Sequence, residues 1–250
     1  MEYNGFYVFQ AAVFRLPDRT MKKPVVNYSK FTLKKLFSPE YSHLAWLLFW
    51  PVFYVVFSFL EHGFHPVHWH VMHCAADDVV KFNEVFVIPY LLWFPVTYAA
   101  LGYALFFDTK AFRKMMAFIT VGYSIALFTY FVYPNCQTLR PVVFARDNFL
   151  VSLVKHIYST DTRTNVCPSM HVIGSLAVLS AMWNTDVCRT ILRKLLLTAL
   201  IVLICLSTVF IKQHSVVDVA AALPVSLIAE WLSTTEIRKA AKVSRHAVPG

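Results

Sequence analysis

A chain of 250 residues that is 58% hydrophobic, only 15% charged and of mean hydropathy +0.54 is too apolar for a water-soluble domain, where charged residues average about 25%. Lipid as well as protein must cover so much apolar surface. The net charge of +9 then marks a cytoplasmic membrane face and anionic headgroups rather than a nucleic-acid partner, and five cysteines without a CxxC pair exclude the common zinc patterns.

Residues 1–42 are basic and mixed, with no apolar stretch leading into a small-residue cleavage site. They read as a cytoplasmic tail, and the first apolar run, near Leu44, as an uncleaved membrane helix. A spanning helix needs roughly 20 mostly apolar residues. Runs of this kind at 43–60, 85–107, 112–132, 168–184, 191–211 and 214–233 predict an all-α polytopic membrane protein. Six transmembrane helices form one bundle over 43–233, and a basic cytoplasmic tail follows at 234–250. In the second helix Pro89 and Pro95 are expected to produce kinks. Trp93, Phe94 and Tyr98, with Tyr103, are expected to face lipid or packing neighbours.

Lysine and arginine follow the same alternation. The N-terminal tail (Arg15 to Lys35), the 108–114 connection, the Arg189–Lys194 connection and the C-terminal tail hold most of the 23. That pattern puts both termini in the cytoplasm. The long segments 61–84 and 133–167 then lie on the outer side, and connections of this length are usually functional or disordered. The first carries His62, His65, His68, His70, His73 and Cys74. Such side chains can ligate zinc or copper, but beside Trp69 at headgroup depth they are ordinary interface residues, and no metal site is assigned. Cys136 and Cys167 both fall outside, where a disulfide would pin the Arg140 loop against Ser169 in an oxidising compartment.

Three polar clusters carry the chemistry, all on the outer side: Arg140-Pro141, then Cys167-Pro168-Ser169-Met170-His171 opening the fourth helix, then Ser207 to Asp218. Pro168 suits a first helical turn, so the amides near Ser169 and His171 form a helix start that favours phosphate. His214 and Asp218 stand four apart and share a helix face. Asp218 can then hold one ring nitrogen of His214 and leave the other to attack. Arg140 offers a planar fork to phosphate oxygens, and His171 can protonate a leaving oxygen near neutrality.

These clusters resemble the type 2 phosphatidic acid phosphatase superfamily, which includes the vanadium haloperoxidases and carries Lys-x6-Arg-Pro, Pro-Ser-Gly-His and Ser-Arg-x5-His-x3-Asp on a six-helix core. The matches are Arg140-Pro141, then Pro168-Ser169 with His171, then Ser207 with His214 and Asp218, over roughly 85–233. The resemblance implies that His214 attacks phosphorus to form a phosphohistidine. Asp218 would orient it, His171 would protonate the leaving group, and Arg140 and Ser169 would hold the oxygens with no metal or other cofactor. The family's first lysine falls on Tyr133, its glycine on Met170 and its third-motif arginine on Thr208. Lys212 is the nearest candidate replacement cation, and Arg146 and Arg163 of the loop are the others. Alternatively the substrate is a phosphodiester with one negative charge, as in the inositolphosphorylceramide and sphingomyelin synthase branch, which the run Phe210-Ile211-Lys212-Gln213-His214 also resembles. The expected function is therefore an integral membrane lipid phosphate phosphatase acting on the extracytoplasmic face. The alternatives are a phosphotransferase moving a headgroup phosphate onto a lipid alcohol, and a catalytically silent binding protein of the same fold.

Overall fold

The computed structural model describes residues 23–246, with side chains through residue 235. Arg15, Arg19 and Lys22 of the basic N-terminal tail lie outside the described residues, as do the side chains of the C-terminal tail beyond residue 235. In chain order the helices are α1 (Ser42–Gly63), α2 (Ala75–Val79), α3 (Glu84–Phe107), α4 (Thr109–Val132), α5 (Phe149–Thr160), α6 (Met170–Met182), α7 (Ile191–Phe210) and α8 (Val216–His246). The first, α1, opens as a 3-10 segment and closes on a π turn at Phe59–Gly63.

Among the described residues, five helical stretches are long and apolar enough to cross a membrane: α1, α3, α4, α7 and Val216–Thr235 of α8. The sixth expected span, 168–184, is the shorter α6 of 13 residues, about 20 Å at 1.5 Å per residue against a hydrocarbon core of about 30 Å. Its start is set two residues late. Pro168, expected in the first turn, precedes the cap, and Ser169 is the N-cap whose Oγ accepts from the Val172 amide. At the other end of α6, the Ser180 carbonyl meets Lys114 near the start of α4, and the Ser180 hydroxyl meets Glu230 well along α8. The C-terminal boundary expected at 233 has no break in the helix, because α8 runs on to His246 through alanine, lysine and arginine, all good helix formers.

The bundle is built around α4, whose apolar window is 56% buried and which packs on α8, α6, α3 and α1. Two glycines permit the tightest crossing. A Cβ on Gly122 of α4 would sit 2.5 Å from Ile173 Cγ2, and one on Gly174 of α6 would sit 2.6 Å from the Tyr123 hydroxyl. Small residues of this kind let membrane helices approach closely. Of the two prolines expected to kink α3, Pro95 is inside the helix. Pro89 falls in the first helical turns, where a missing N–H has no intrahelical partner to lose.

The connecting segments at one end are knitted together. Strands β1 (His70–Val71) and β2 (Asn135–Cys136) pair in parallel, and Cys136 bridges to Thr164. The 133–167 segment contains α5, which the sequence reading passed over. Asn148 caps it by accepting from the Val151 amide, and Val151 and Val154 are buried beneath it.

Candidate active site

His171, His214 and Asp218 come together as expected, by a different local route. His214 does not lie on a helix. It sits in the 211–215 turn between α7 and α8, and Asp218 is in the first turn of α8. The turn closes through the Thr208 carbonyl, which accepts from the amides of Gln213 (2.9 Å) and His214 (3.0 Å). Ser215 and Asp218 then bond reciprocally: the Ser215 amide donates to Asp218 Oδ2 (2.9 Å), and the Asp218 amide donates to the Ser215 carbonyl (3.1 Å). This local capping arrangement sets the carboxylate under the imidazole, with His214 Nδ1 3.2 Å from Asp218 Oδ2.

The other nitrogen, His214 Nε2, lies 3.3 Å from His171 Nδ1. An ionised carboxylate only accepts, so with Asp218 Oδ2 at 3.2 Å His214 carries its proton on Nδ1 and Nε2 presents a lone pair. That lone pair accepts from His171 Nδ1–H. The His171 ring is held between Tyr90 and Trp93, 5.0 and 4.8 Å between centroids, and the Trp93 indole donates to the His171 carbonyl.

Asn135 places the start of α6, and sequence reasoning missed it. Its Oδ1 accepts from the amides of Val166 and Cys167, both at 2.8 Å, and its Nδ2 donates to the Cys167 carbonyl (2.9 Å). The Tyr130 hydroxyl donates to the Pro168 carbonyl (2.7 Å). The five cysteines are all free. The clamp expected from a Cys136–Cys167 disulfide is therefore supplied by Asn135. The Cys167 thiol is pushed up to about 12 by burial and by the neighbouring Asp218 charge.

The expected phosphate-binding residues are arranged differently from the simple expectation. Ser169 is fully buried, and its amide donates to the Asp218 carbonyl (3.1 Å). Arg140 is buried at the edge of the His pair, with its terminal nitrogens spent on protein. Nη1 donates to the carbonyls of Tyr158 (3.2 Å) and Asp161 (2.9 Å), and Nη2 to the Thr162 carbonyl and Gln213 Oε1, both at 2.5 Å. Its Nε is buried without a partner among the described residues. The guanidinium also stacks over the Tyr158 ring at 4.8 Å. Burial lowers its pKa, opposed by Asp161. Arg140 thus ties off the last carbonyls of α5, where a cation is favoured by the helix dipole, and its charge reaches the site from behind.

Lys212 points elsewhere. Its Nζ donates to the carbonyls of Asp77 (2.8 Å) and Val80, so it closes the end of α2, and burial lowers its pKa. Asp77 in turn accepts from the Ser215 hydroxyl (2.5 Å) and the Val216 amide (2.8 Å), capping α8 directly below the 211–215 turn. Tyr133 stacks on His70 with centroids 3.9 Å apart.

Two more residues complete the site, Gln213 and Asp161. Gln213 Nε2 donates to Asp161 Oδ2 (3.1 Å) and reaches the Tyr90 hydroxyl (3.4 Å), while its Oε1 holds Arg140. Burial raises the Asp161 pKa, opposed by Arg140. The signal for Gln213 was its place beside His214. Asp161 had none beyond its position one residue after a capped amphipathic helix.

His171 forms one end of a cavity of about 900 Å³ between α1 and α3. Trp50, Phe53 and Phe57 line one wall, and Tyr90, Trp93, Phe94 and Tyr98 the other. Of the aromatic residues of α3 expected to face lipid or packing neighbours, Trp93, Phe94 and Tyr98 therefore bound a slot, and Tyr103 packs against Phe107. Polar groups gather at one end, where Asp161, Thr160 and His156 join His171. In the 61–84 segment His73 pairs with Asp78 at 2.9 Å, and His68 packs edge-on against His70. No group of three or more His, Cys, Asp or Glu side chains among the described residues could hold a metal ion.

No protein-family model matches the chain, and no curated protein or solved structure matches it.

Proposed function

We propose that the chain is an integral membrane enzyme that breaks a lipid phosphate ester through a phosphohistidine on His214, as a member of the type 2 phosphatidic acid phosphatase superfamily. The observation that carries this reading is the buried relay Asp218–His214–His171, ending at a lipid-sized slot. Asp218 fixes the tautomer and orientation of His214, the service an orienting carboxylate gives in triads. His214 Nε2 forms the N–P bond as the P–O bond to the lipid alcohol breaks, and His171 delivers a proton to the departing oxygen. A phosphate must displace the direct His214–His171 contact to reach Nε2. Water then takes the phosphoryl group from nitrogen and regenerates the imidazole.

The slot supports a lipid substrate. From Tyr90 to Leu101 it runs along twelve residues of α3, a rise of about 16 Å at 1.5 Å per residue. That is half of a hydrocarbon core of about 30 Å, the depth of one leaflet. We place both termini in the cytoplasm, count α6 as the fourth of six crossings, and put the His pair on the extracytoplasmic face, as the distribution of lysine and arginine supports.

Transfer to a lipid alcohol in place of water is the second reading, favoured by the cations. Arg140 and Lys212 are both committed to protein carbonyls, which leaves less positive charge for a dianion than a monoester phosphatase would use. The test is release of phosphate from a panel of lipid phosphates in detergent with chelator present, and of headgroup exchange between labelled phospholipids and a lipid alcohol. His214→Ala should abolish either activity, since losing a nucleophile commonly costs several powers of ten. Turnover that survives in His214→Ala rules out the phosphohistidine, and a folded wild-type protein inert in both assays points to a silent binding protein.

A further inference from the structure

Asp161 is the acidic residue at the polar end of the slot. It follows the last residue of α5, and its side chain is 49% exposed. It lines the cavity together with His171. One carboxylate oxygen, Oδ2, is tethered by Gln213 Nε2 at 3.1 Å and faces Arg140 Nη2 at 4.0 Å. Gln213 is 2% exposed and is itself held by Arg140 at 2.5 Å. The carboxylate is therefore fixed, half in the protein and half in the slot, beside the residue that precedes the nucleophile.

This arrangement sets the charge that a substrate meets. The Arg140 cation lies behind Asp161, is 2% exposed in its side chain, and has no terminal N–H left over. Lys212 faces α2. The second carboxylate, Asp218, stands behind His214. A dianionic phosphate monoester placed at His214 would meet the Asp161 charge while Arg140 and Lys212 are both committed to protein carbonyls, and like charges at short range disfavour one another. A phosphodiester carries one negative charge. If its headgroup also bears a hydroxyl or ammonium, that group can donate to Asp161 and form a charge-assisted hydrogen bond.

We propose that Asp161 is a specificity-determining residue, and that the substrate is a lipid phosphodiester whose headgroup carries a hydrogen-bond donor close to the phosphate. This rests on His214 as the phosphate-attacking residue. Attack on such a diester expels diacylglycerol, with the proton from His171 on its oxygen, and leaves the phosphorylated headgroup on His214. Water or an alcohol then takes that group.

Diacylglycerol release measures the same bond cleavage for every phospholipid. The purified protein in detergent, with a long-chain alcohol as acceptor, is offered phosphatidate, phosphatidylcholine, phosphatidylethanolamine and phosphatidylinositol of one acyl composition. The two donor-bearing diesters should be cleaved at least about tenfold faster than phosphatidate, with phosphatidylcholine between. Asp161→Asn keeps the shape and the Gln213 contact, and should raise cleavage of phosphatidate while lowering that of the donor-bearing lipids. Asp161→Ala should bring the ratio near one. A wild-type preference for phosphatidate, or a ratio unchanged in both variants, overturns the proposal. Binding is read separately on His214→Ala, with and without Asp161→Asn, by quenching of tryptophan fluorescence with the same lipids carrying brominated chains. Should wild-type protein cleave nothing, the phosphohistidine reading has failed. A donor-headgroup preference in binding that Asp161→Asn removes then still supports the role of Asp161, and equal binding of phosphatidate overturns it.

Discussion

Lys212 shows how far a side chain's identity can mislead about its task. Two residues before His214, it stands where a phosphate-binding cation would be useful. Its backbone is in the left-handed region, at φ 57°, uncommon for a residue with a Cβ. That turn sends the side chain to the carbonyls of Asp77 and Val80. Lys212→Met would leave both carbonyls short of a donor, at about 1–3 kcal/mol for a buried group. The variant should unfold at a lower temperature while the folded fraction keeps kcat within a few-fold of wild type. A hundredfold loss of kcat at unchanged melting temperature would instead put Lys212 on the phosphate. At this scale the sequence was readable where partners are neighbours. His214 and Asp218 are four residues apart and touch, whether or not the first of them is helical. The partners of Lys212 are more than 130 residues away, and those of Arg140 are the Gln213 side chain and main-chain carbonyls at the end of a helix that no long apolar run announced. Residue type alone could not say that these two cations were already engaged.

Among the elements, α4 and α6 fix the distance between the two halves of the site. The end of α4 supplies Tyr130, which holds the Pro168 carbonyl, and α6 begins two residues later at Met170, with His171 in its first turn. Their separation is set where Gly122 faces Ile173. Gly122→Val would force overpacking against that side chain, typically at about 1–3 kcal/mol, and the strain would pass along α6 to His171. Melting temperature should fall and turnover should drop with it, while Gly102→Val on α3, where a Cβ meets nothing within 4 Å, should be neutral in both. Equal behaviour of the two variants would show that the crossing does not set the site. The apolar runs made the long helices legible. The run at 168–184 was already short for a full span, but hydropathy did not show that the helix is only 13 residues, because its start is set by Ser169 and the Asn135 clamp. Nor did hydropathy reveal α5, whose 12 residues are too few to stand out as a span.

For the whole molecule, the alternation of basic and non-basic connections was legible because it depends only on counting residues between apolar runs. The slot was not, because it exists only where α1 stands off from α3. The apolar window of α1 is just 11% buried, so its aromatic side chains are free to form a wall rather than fill a core. The depth of that slot should limit the chain that fits. Leu47 and Leu101 lie at its far end from His171, and an indole at position 101 would fill the last few ångströms. Losing contact with two methylenes costs about 1.6 kcal/mol at about 0.8 each, a little over tenfold in an equilibrium constant. Leu101→Trp should therefore lower kcat/KM about tenfold for substrates with chains long enough to reach the end of the slot, and leave short-chain analogues unchanged, because only the long chains touch position 101. The comparison is made on one purified variant with substrates that differ only in chain length, so a general loss of folding would lower both alike. An equal fall for short and long chains would mean that the hydrocarbon lies elsewhere, in the surrounding bilayer, and that the aromatic walls of α1 and α3 only shape the entrance to His171.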